Sequence, residues 1–262
     1  MRILMVGDVF GRPGRKFFCE VTKDLRREKK IDLVVMNGEN VAHGKSLTEA
    51  TFSEVTAGGA DIITSGNHIW DRRDVFELLE REPYLLRPAN YPENTPGKGF
   101  CIYPHRTKNV GVINLIGRTY MQSVDCPFTR ASEILKNIKR DCDIILVDFH
   151  AEATSEKIAL AYFLDGQVTA VVGTHTHVQT ADERILPKGT AFITDLGMTG
   201  PIDSAIGIKV EPVIERFITC RLTKFEIAES ACVYCAVIID VDDKTNMPTK
   251  IERLQIYEND VK

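Results

Sequence analysis

Val168-Thr169-Ala170-Val171-Val172-Gly173-Thr174-His175-Thr176-His177 is an apolar run that ends on two histidines one residue apart. A lone histidine behind a strand is usually structural. Two behind a buried strand point to one site, because alternate residues of an extended backbone face the same way. The same construction recurs upstream. Ile3-Leu4-Met5-Val6 precedes Gly7-Asp8, and Leu33-Val34-Val35-Met36 precedes Gly38-Glu39-Asn40. Ile62-Ile63-Thr64 precedes Gly66-Asn67-His68, and Ile144-Ile145-Leu146-Val147 precedes Asp148-Phe149-His150. The steps from Asp8 to Glu39 to Asn67, and from His150 to His175, are each about one strand–helix–strand unit long. In a sheet made of such units, each strand delivers its last residue to the same edge, where ligands bind. Asp8, Glu39, Asn67, His150, His175 and His177 are therefore expected to converge as oxygen and imidazole groups suited to hold metal ions.

The chain has 262 residues and an apolar fraction of 44%, enough for a full core in one α/β domain spanning 1–262. A formal net charge of −4 argues against a surface dedicated to coating nucleic acid. No apolar run reaches the length of a membrane span, and Met1–Asp8 turns polar too soon for a signal peptide, reading instead as a first strand. The seven cysteines are scattered. Cys101, Cys142 and Cys220 sit in strand-like settings as small hydrophobes, and Cys232-x-x-Cys235 is flanked by strand-forming residues without a second pair. That usage fits a reducing cytoplasm better than a redox or zinc motif.

Strand and helix alternate through the first half. Pro13-Gly14 opens a helix whose Phe17, Phe18, Val21 and Leu25 keep helical spacing. Strand 31–37 is followed by a helix near 47–57 that stops at Gly58-Gly59, then strand 61–65 and a helix near 71–80. Residues 85–120 carry short β-like runs at 99–103 and 109–116, as in a crossing from one sheet to another. Helix 128–140, strand 143–149, helix 155–164 and strand 168–173 resume the alternation, and β runs follow at 190–194, 217–227, 232–241 and 249–257. Two sheets face to face, with helices on both outer sides, account for this order. The first sheet is expected from the N-terminal half and the second from the rest.

The residues at positions 8 to 177 resemble those of the calcineurin-like metallophosphoesterases, whose order is D-x-H, G-D, G-N-H, H and G-H-x-H. Phe10 stands where that family carries a ligand histidine, and Glu39, followed by Asn40, stands for the usual bridging aspartate. With these departures, Gly7-Asp8-Val9-Phe10-Gly11, Asn37-Gly38-Glu39-Asn40, Gly66-Asn67-His68-Ile69-Trp70 and Asp195-Leu196-Gly197-Met198-Thr199-Gly200-Pro201 are similar to the YmdB-type branch of bacterial metallophosphoesterases. The resemblance covers essentially the whole chain. It implies a four-layer α/β/β/α sandwich, a two-metal site and phosphodiesterase activity toward 2′,3′-cyclic nucleotides. It further implies that Asp8, Glu39, Asn40 and His177 hold one ion, and Glu39, Asn67, His150 and His175 the other, with Glu39 bridging and Asn40 compensating for Phe10. Iron is the ion expected of this branch. Mixed oxygen and imidazole ligands without thiolate suit iron or manganese, with zinc or magnesium as alternatives.

Two divalent ions against Asp8 and Glu39 leave a net charge of about +2, which calls for anions such as a bridging hydroxide and a phosphodiester oxygen. The hydroxide is the expected nucleophile. His68, next to the ligand Asn67, is expected to protonate the leaving ribose oxygen as general acid; orienting a ligand is its alternative role. Arg12 and Arg15, flanking Pro13-Gly14, are candidates to steer phosphate, while His43 and His105 read as loop residues without a role. Gly197–Pro201 reads as a bent loop near substrate. Other readings remain on the same scaffold: a phosphomonoesterase or nuclease, or a metal-stabilised regulatory or RNA-associated protein with little turnover. RNA, an RNA-processing partner and a homo-oligomer stay open as partners beside the small cyclic nucleotide, and no membrane is expected.

Overall fold

The apolar runs form two sheets in the computed structural model, which describes residues 1–261. In the first, β1 (Arg2–Val6), β3 (Leu33–Asn37) and β4 (Ile62–Thr64) pair in parallel. β12 (Cys232–Val241) lies antiparallel along the other side of β1, and β13 (Pro248–Tyr257) borders β12. The short β2 (Asp8–Val9) pairs in parallel with β11 (Met198–Pro201), which also joins β12. The second sheet runs in the order β5 (Phe100–His105), β6 (Lys108–Ile116), β7 (Ile144–His150), β8 (Ala170–Thr174), β10 (Ala191–Ile193), β9 (Arg184–Ile185).

The period of two along each strand sorts side chains between layers. Ile3, Met5, Leu33 and Val35 face Val112, Ile144, Leu146, Ala170 and Val172 across the space between the sheets. Leu4, Val6, Val34 and Met36 face outward and are covered by Phe17, Phe18, Val21 and Leu25 of α1 (Gly11–Glu28), while Val55 of α2 (Glu49–Ala57) and Leu78 of α3 (Val75–Arg81) join the same core. Ile145, Val147, Phe149 and Val171 are covered by Ile134, Leu135 and Ile138 of α4 (Pro127–Ile138) and by Leu160 and Leu164 of α5 (Thr154–Leu164). The layers are thus α/β/β/α. Among the described residues, no helix is long and apolar enough to cross a membrane.

The inward register of the strands also positions the site. On β7 it runs Ile144, Leu146, Asp148, His150; on β3, Leu33, Val35, Asn37; on β8, Ala170, Val172, Thr174; on β4, Ile62, Thr64. The space between the sheets is therefore apolar along most of its length and becomes polar where the parallel strands end.

Several expectations are corrected. The sheets do not divide the chain into halves, since β11, β12 and β13 join β1. β12 is apolar on both faces, with Ala236 and Ile238 in one core and Val237 and Ile239 in the other, and so suits the middle of a sheet. Residues 217–227 form no strand. α6 (Val210–Thr219) takes the first three of them, with Val210, Ile214, Phe217 and Ile218 at helical spacing and none of the helix buried, and 220–226 carry no helix or strand. Cys220 is the exposed left-handed cap of that helix, and Cys142 lies in the turn before β7 rather than in a strand. Cys232 and Cys235 are three apart on β12, so their side chains leave opposite faces; burial pushes both thiols up to about 12.

Candidate metal centre

Every group expected to converge lies at the polar end of the inter-sheet space. His150, the last residue of β7, is fully buried. Its Nε2 lies 3.1 Å from Glu39 Oε1, 3.1 Å from Asn67 Oδ1 and 3.0 Å from His175 Nδ1. Glu39, His150 and His175 offer ligand atoms within 4.8 Å of one another. Asp8 Oδ1 is 3.8 Å from His150 Nδ1 and 3.9 Å from His177 Nε2. Asp8 Oδ1 and Asn40 Oδ1 are both buried without a hydrogen-bond partner. Their carriers are otherwise engaged: Asp8 Oδ2 accepts the His175 amide at 3.1 Å, and Asn40 Nδ2 donates to the Gly44 carbonyl at 2.9 Å. An orphaned carboxylate oxygen near imidazole nitrogens and a second orphaned oxygen on Asn40 are groups a cation would satisfy, since a buried acceptor without a partner costs about 1–3 kcal/mol.

The tautomers fit the same reading. His177 Nδ1 donates to the Ile206 carbonyl at 3.1 Å, leaving Nε2 as the lone-pair nitrogen toward Asp8. His175 Nε2 faces Glu152 Oε2 at 3.1 Å, leaving Nδ1 toward His150. His150 Nδ1 is 3.0 Å from Thr174 Oγ1, which donates to Asp148 Oδ1 at 2.8 Å. Asp148 also accepts from Thr64 Oγ1 and, at 3.3 Å, from Asn37 Nδ2. Partners that hold the far nitrogen of a histidine orient it toward a metal. Sequence reading missed both this polar quartet beneath the site and Glu152. The alternation Ile144, Leu146, Asp148, His150 carried the signal for Asp148: a carboxylate on the inward face of a buried strand.

Burial works against charge throughout. It pushes Asp8 well up, with Glu39 adding to the effect. It also opposes the Glu39 carboxylate, yet the His150 imidazole and the His68 amide hold that group at about 2. Burial likewise opposes charge on His150, but Glu39 and Asp8 raise it to about 9. Burial and the neighbouring His150 push His175 down to about 3, and burial also lowers His177. Two carboxylates and three imidazoles packed this tightly hold one another's protons in tension, and a cation relieves it by making every group a lone-pair donor.

The histidine pair converges by another route than expected. His175 has φ 102° and His177 φ 64°, so the strand does not continue through them. Left-handed backbone at non-glycine residues costs on the order of 1–3 kcal/mol and persists where surrounding structure holds it. Here Thr176 supplies the hold. Its amide and hydroxyl donate to Asp195 Oδ2 at 3.2 and 2.7 Å, and the same oxygen accepts Lys157 Nζ at 2.6 Å. Lys157 and Asp195 are both buried, and sequence reading passed over this pair.

Gly66 is needed for space. Its φ is −145°, outside the left-handed region, but a Cβ there would come within 3.0 Å of His150 Cδ2, His150 Nε2 and Glu39 Oε2. Phe10 packs its ring edge-on against His177 at 5.7 Å and offers no ligand atom. His68 lies at the rim, with its amide donating to Glu39 Oε2 at 3.0 Å and Nδ1 2.9 Å from Asp71 Oδ2.

The weaker candidates fall elsewhere. Arg15 is bound to Glu54 at 2.7 Å and to the Val41 carbonyl, so it does not reach toward the cluster. Arg12 and His43 line a separate cavity of about 770 Å³ that includes none of the clustered residues. His105 is the last residue of β5 rather than a loop residue, 3.8 Å from Asp32. Gly197–Pro201 is mostly strand β11, and the Gly197 carbonyl accepts the Asp8 amide at 3.0 Å, so the segment braces Asp8 from behind.

Comparison with known proteins agrees with this picture. The model of the YmdB-like protein family matches residues 4–254. The chain is 49% identical over 259 residues to the 2′,3′-cyclic-nucleotide 2′-phosphodiesterase of Bacillus subtilis (strain 168), covering 99% of this chain and 98% of that one. A crystal structure of a hypothetical protein from Thermus thermophilus superposes with a TM-score of 0.94 at 41% identity, over 98% of this chain and all (100%) of the other. A novel phosphatase from Mycoplasma pneumoniae superposes with a TM-score of 0.93 at 35% identity, over 98% and 93% of the two chains. The four-layer sandwich is accordingly the calcineurin-like metallophosphoesterase fold. A metal cofactor follows from family and cluster together, and the chain belongs to the YmdB-like protein family.

Proposed function

We propose that this protein is a dinuclear metal-dependent phosphodiesterase that hydrolyses 2′,3′-cyclic nucleotides. The observation that carries the reading is the Glu39, His150 and His175 cluster together with the buried, unpartnered oxygens of Asp8 and Asn40. Asp8, Glu39, Asn40 and His177 would hold one cation and Glu39, Asn67, His150 and His175 the other, with iron favoured by the thiolate-free oxygen and imidazole set and manganese next. When bound, the cations supply Lewis acidity toward the phosphodiester and lower the pKa of water to near neutrality. The relative from Bacillus subtilis supports the choice of a 2′,3′-cyclic substrate.

The remaining chemistry belongs to the chain. Cleaving the phosphodiester leaves a ribose alkoxide that needs a proton. His68 is half-buried at the rim, and Asp71 fixes its Nδ1, leaving Nε2 to give that proton. Asp71 also faces Lys45 at 3.2 Å, which keeps the carboxylate in place beside the imidazole. The buried quartet of Asn37, Thr64, Asp148 and Thr174 orients His150, while Asp195 and Lys157 set the path of the loop that carries His175 and His177. The seven free cysteines support a reducing compartment, the cytoplasm.

The test is an assay of the purified protein, with metals quantified, against 2′,3′- and 3′,5′-cyclic nucleotides, a nucleoside monophosphate and an aryl phosphodiester. Preference for the 2′,3′-cyclic compounds is expected, and exclusive action on the monoester refutes the reading. His68→Ala should keep its metal and lose about 10²–10⁴-fold in turnover. Unchanged turnover would remove His68 from the mechanism.

A further inference from the structure

We propose that the cavity built around Arg87, Lys98 and Arg130, at the edge shared by the two sheets, is a second binding site that takes a small phosphate-bearing anion. Residues 85–89 span the gap between β4 and β5. The Leu86 amide donates to the Ile63 carbonyl at 2.8 Å, the Arg87 amide to the Lys98 carbonyl at 3.0 Å, and the Ala89 amide to the Asn114 carbonyl at 2.8 Å. Beside this strap lies a cavity of about 500 Å³, within the range of small-molecule sites. Three cations line it and no acidic residue does. None of the metal-centre residues contributes to its wall.

Arg87 is the informative group. It is only 5% exposed, yet its guanidinium meets no carboxylate among the described residues. Its donors reach the Pro88 carbonyl at 2.9 Å and the Thr95 carbonyl at 3.5 Å, and Nε has no partner. Arginine is almost never buried unpaired, because a desolvated charge without a counter-charge is costly. Burial first, and then the neighbouring Arg130, lower the Arg87 pKa. Glu80, the acid whose field reaches Arg87, accepts the Gly97 amide at 3.0 Å and does not line the cavity. Arg130 donates Nε to the Ala89 carbonyl at 3.1 Å and pairs at the surface with Glu133.

Two arginines and a lysine, with no acidic residue in the wall, match a multiply charged anion better than a single carboxylate. Tyr84 and Phe100 add aromatic surface to the same wall, which a nucleobase could use. Free phosphate and a nucleoside monophosphate share the recognised chemistry and differ in that contact.

Equilibrium dialysis of the metal-loaded, full-length protein with labelled inorganic phosphate, and separately with adenosine monophosphate, tests the site. The double variant K98Q/R130Q changes two rim residues and leaves Arg87 and the metal centre intact. Wild type should bind one more equivalent of phosphate per chain than the variant, or bind it roughly 10–100-fold more tightly, the effect of a lost charge-assisted hydrogen bond. Turnover of an aryl phosphodiester should be unchanged, since neither residue touches the metal centre. Tighter binding of adenosine monophosphate than of phosphate identifies a nucleotide site, and equal binding a phosphate site. Equal stoichiometry and affinity in wild type and variant, for both probes, overturns the proposal.

Discussion

Gly66→Ala tests the packing on which the metal centre depends. The substitution adds one methyl group at a residue with φ −145° and ψ −143°, outside the regular β and α regions, so a backbone cost adds to the steric one. The methyl would fall within 3.0 Å of His150 Cδ2 and Nε2 and of Glu39 Oε2. Ordinary contact begins near roughly 3.5 Å, so His150 or Glu39 must move by about 1 Å. Neither has room. His150 is anchored through Thr174 to Asp148, and Glu39 Oε2 through the His68 amide. Overpacking of this kind costs about 1–3 kcal/mol, which a domain stable by about 5–15 kcal/mol survives. A displacement of about 1 Å at reacting groups costs on the order of 10²-fold in rate. The expected protein is therefore folded by circular dichroism, depleted in metal by elemental analysis and slowed about 100-fold on an aryl phosphodiester. A folded variant with a full metal complement and unchanged turnover would refute the argument that His150 and Glu39 must stay where they are.

Three further outcomes are expected. Lys157→Met leaves Asp195 buried without its counter-charge and should cost about 3–5 kcal/mol, read from the urea midpoint; the loosened hold on Thr176 should also weaken metal retention. Glu152→Ala frees His175 Nε2 and should lower metal affinity about 10–100-fold in chelator competition, with little change in the melting temperature of the metal-free protein because Glu152 is half exposed. Asp182 is a pH probe. Burial opposes its charge, but donors from Thr180 and Thr194, with Arg184 nearby, hold the carboxyl below its ordinary value. A depressed folded-state pKa gives stability that is present above the unfolded value of about 4 and lost as pH falls through the folded one. Unfolding midpoints of Asp182→Asn should therefore vary less with pH below about 4 than those of wild type, and equal slopes would exclude the contribution.

The residues that gather at the candidate site were legible because their signal is local: an apolar run, a glycine and a polar residue with lone pairs, repeated at intervals of one βαβ unit. Parallel sheets deliver such residues to one edge whatever the details of the helices between. β1 was likewise legible as a first strand from its unbroken apolar run Ile3-Leu4-Met5-Val6. The helix at 210–219 was not. Its apolar residues stay exposed, so the period of Val210, Ile214 and Phe217 had to be separated from the equally apolar residues that follow it.

The sequence by itself determined the α/β class and the strand ends that bring Asp8, Glu39, Asn67, His150, His175 and His177 to one edge, and Asn40 entered through the family resemblance. Only the tertiary structure decided what those donors lean on. β12 pairs with β1 from the far end of the chain, with its two faces in separate cores, and the histidine loop took left-handed backbone because Asp195 and Lys157 hold Thr176 from within the fold. Contacts of that kind join residues far apart along the chain, as Lys157 to Asp195 or Thr64 to Asp148, and no local periodicity encodes them. The unpaired charge of Arg87 became visible in the same way, since burial is a property of the whole packed molecule and not of the residue.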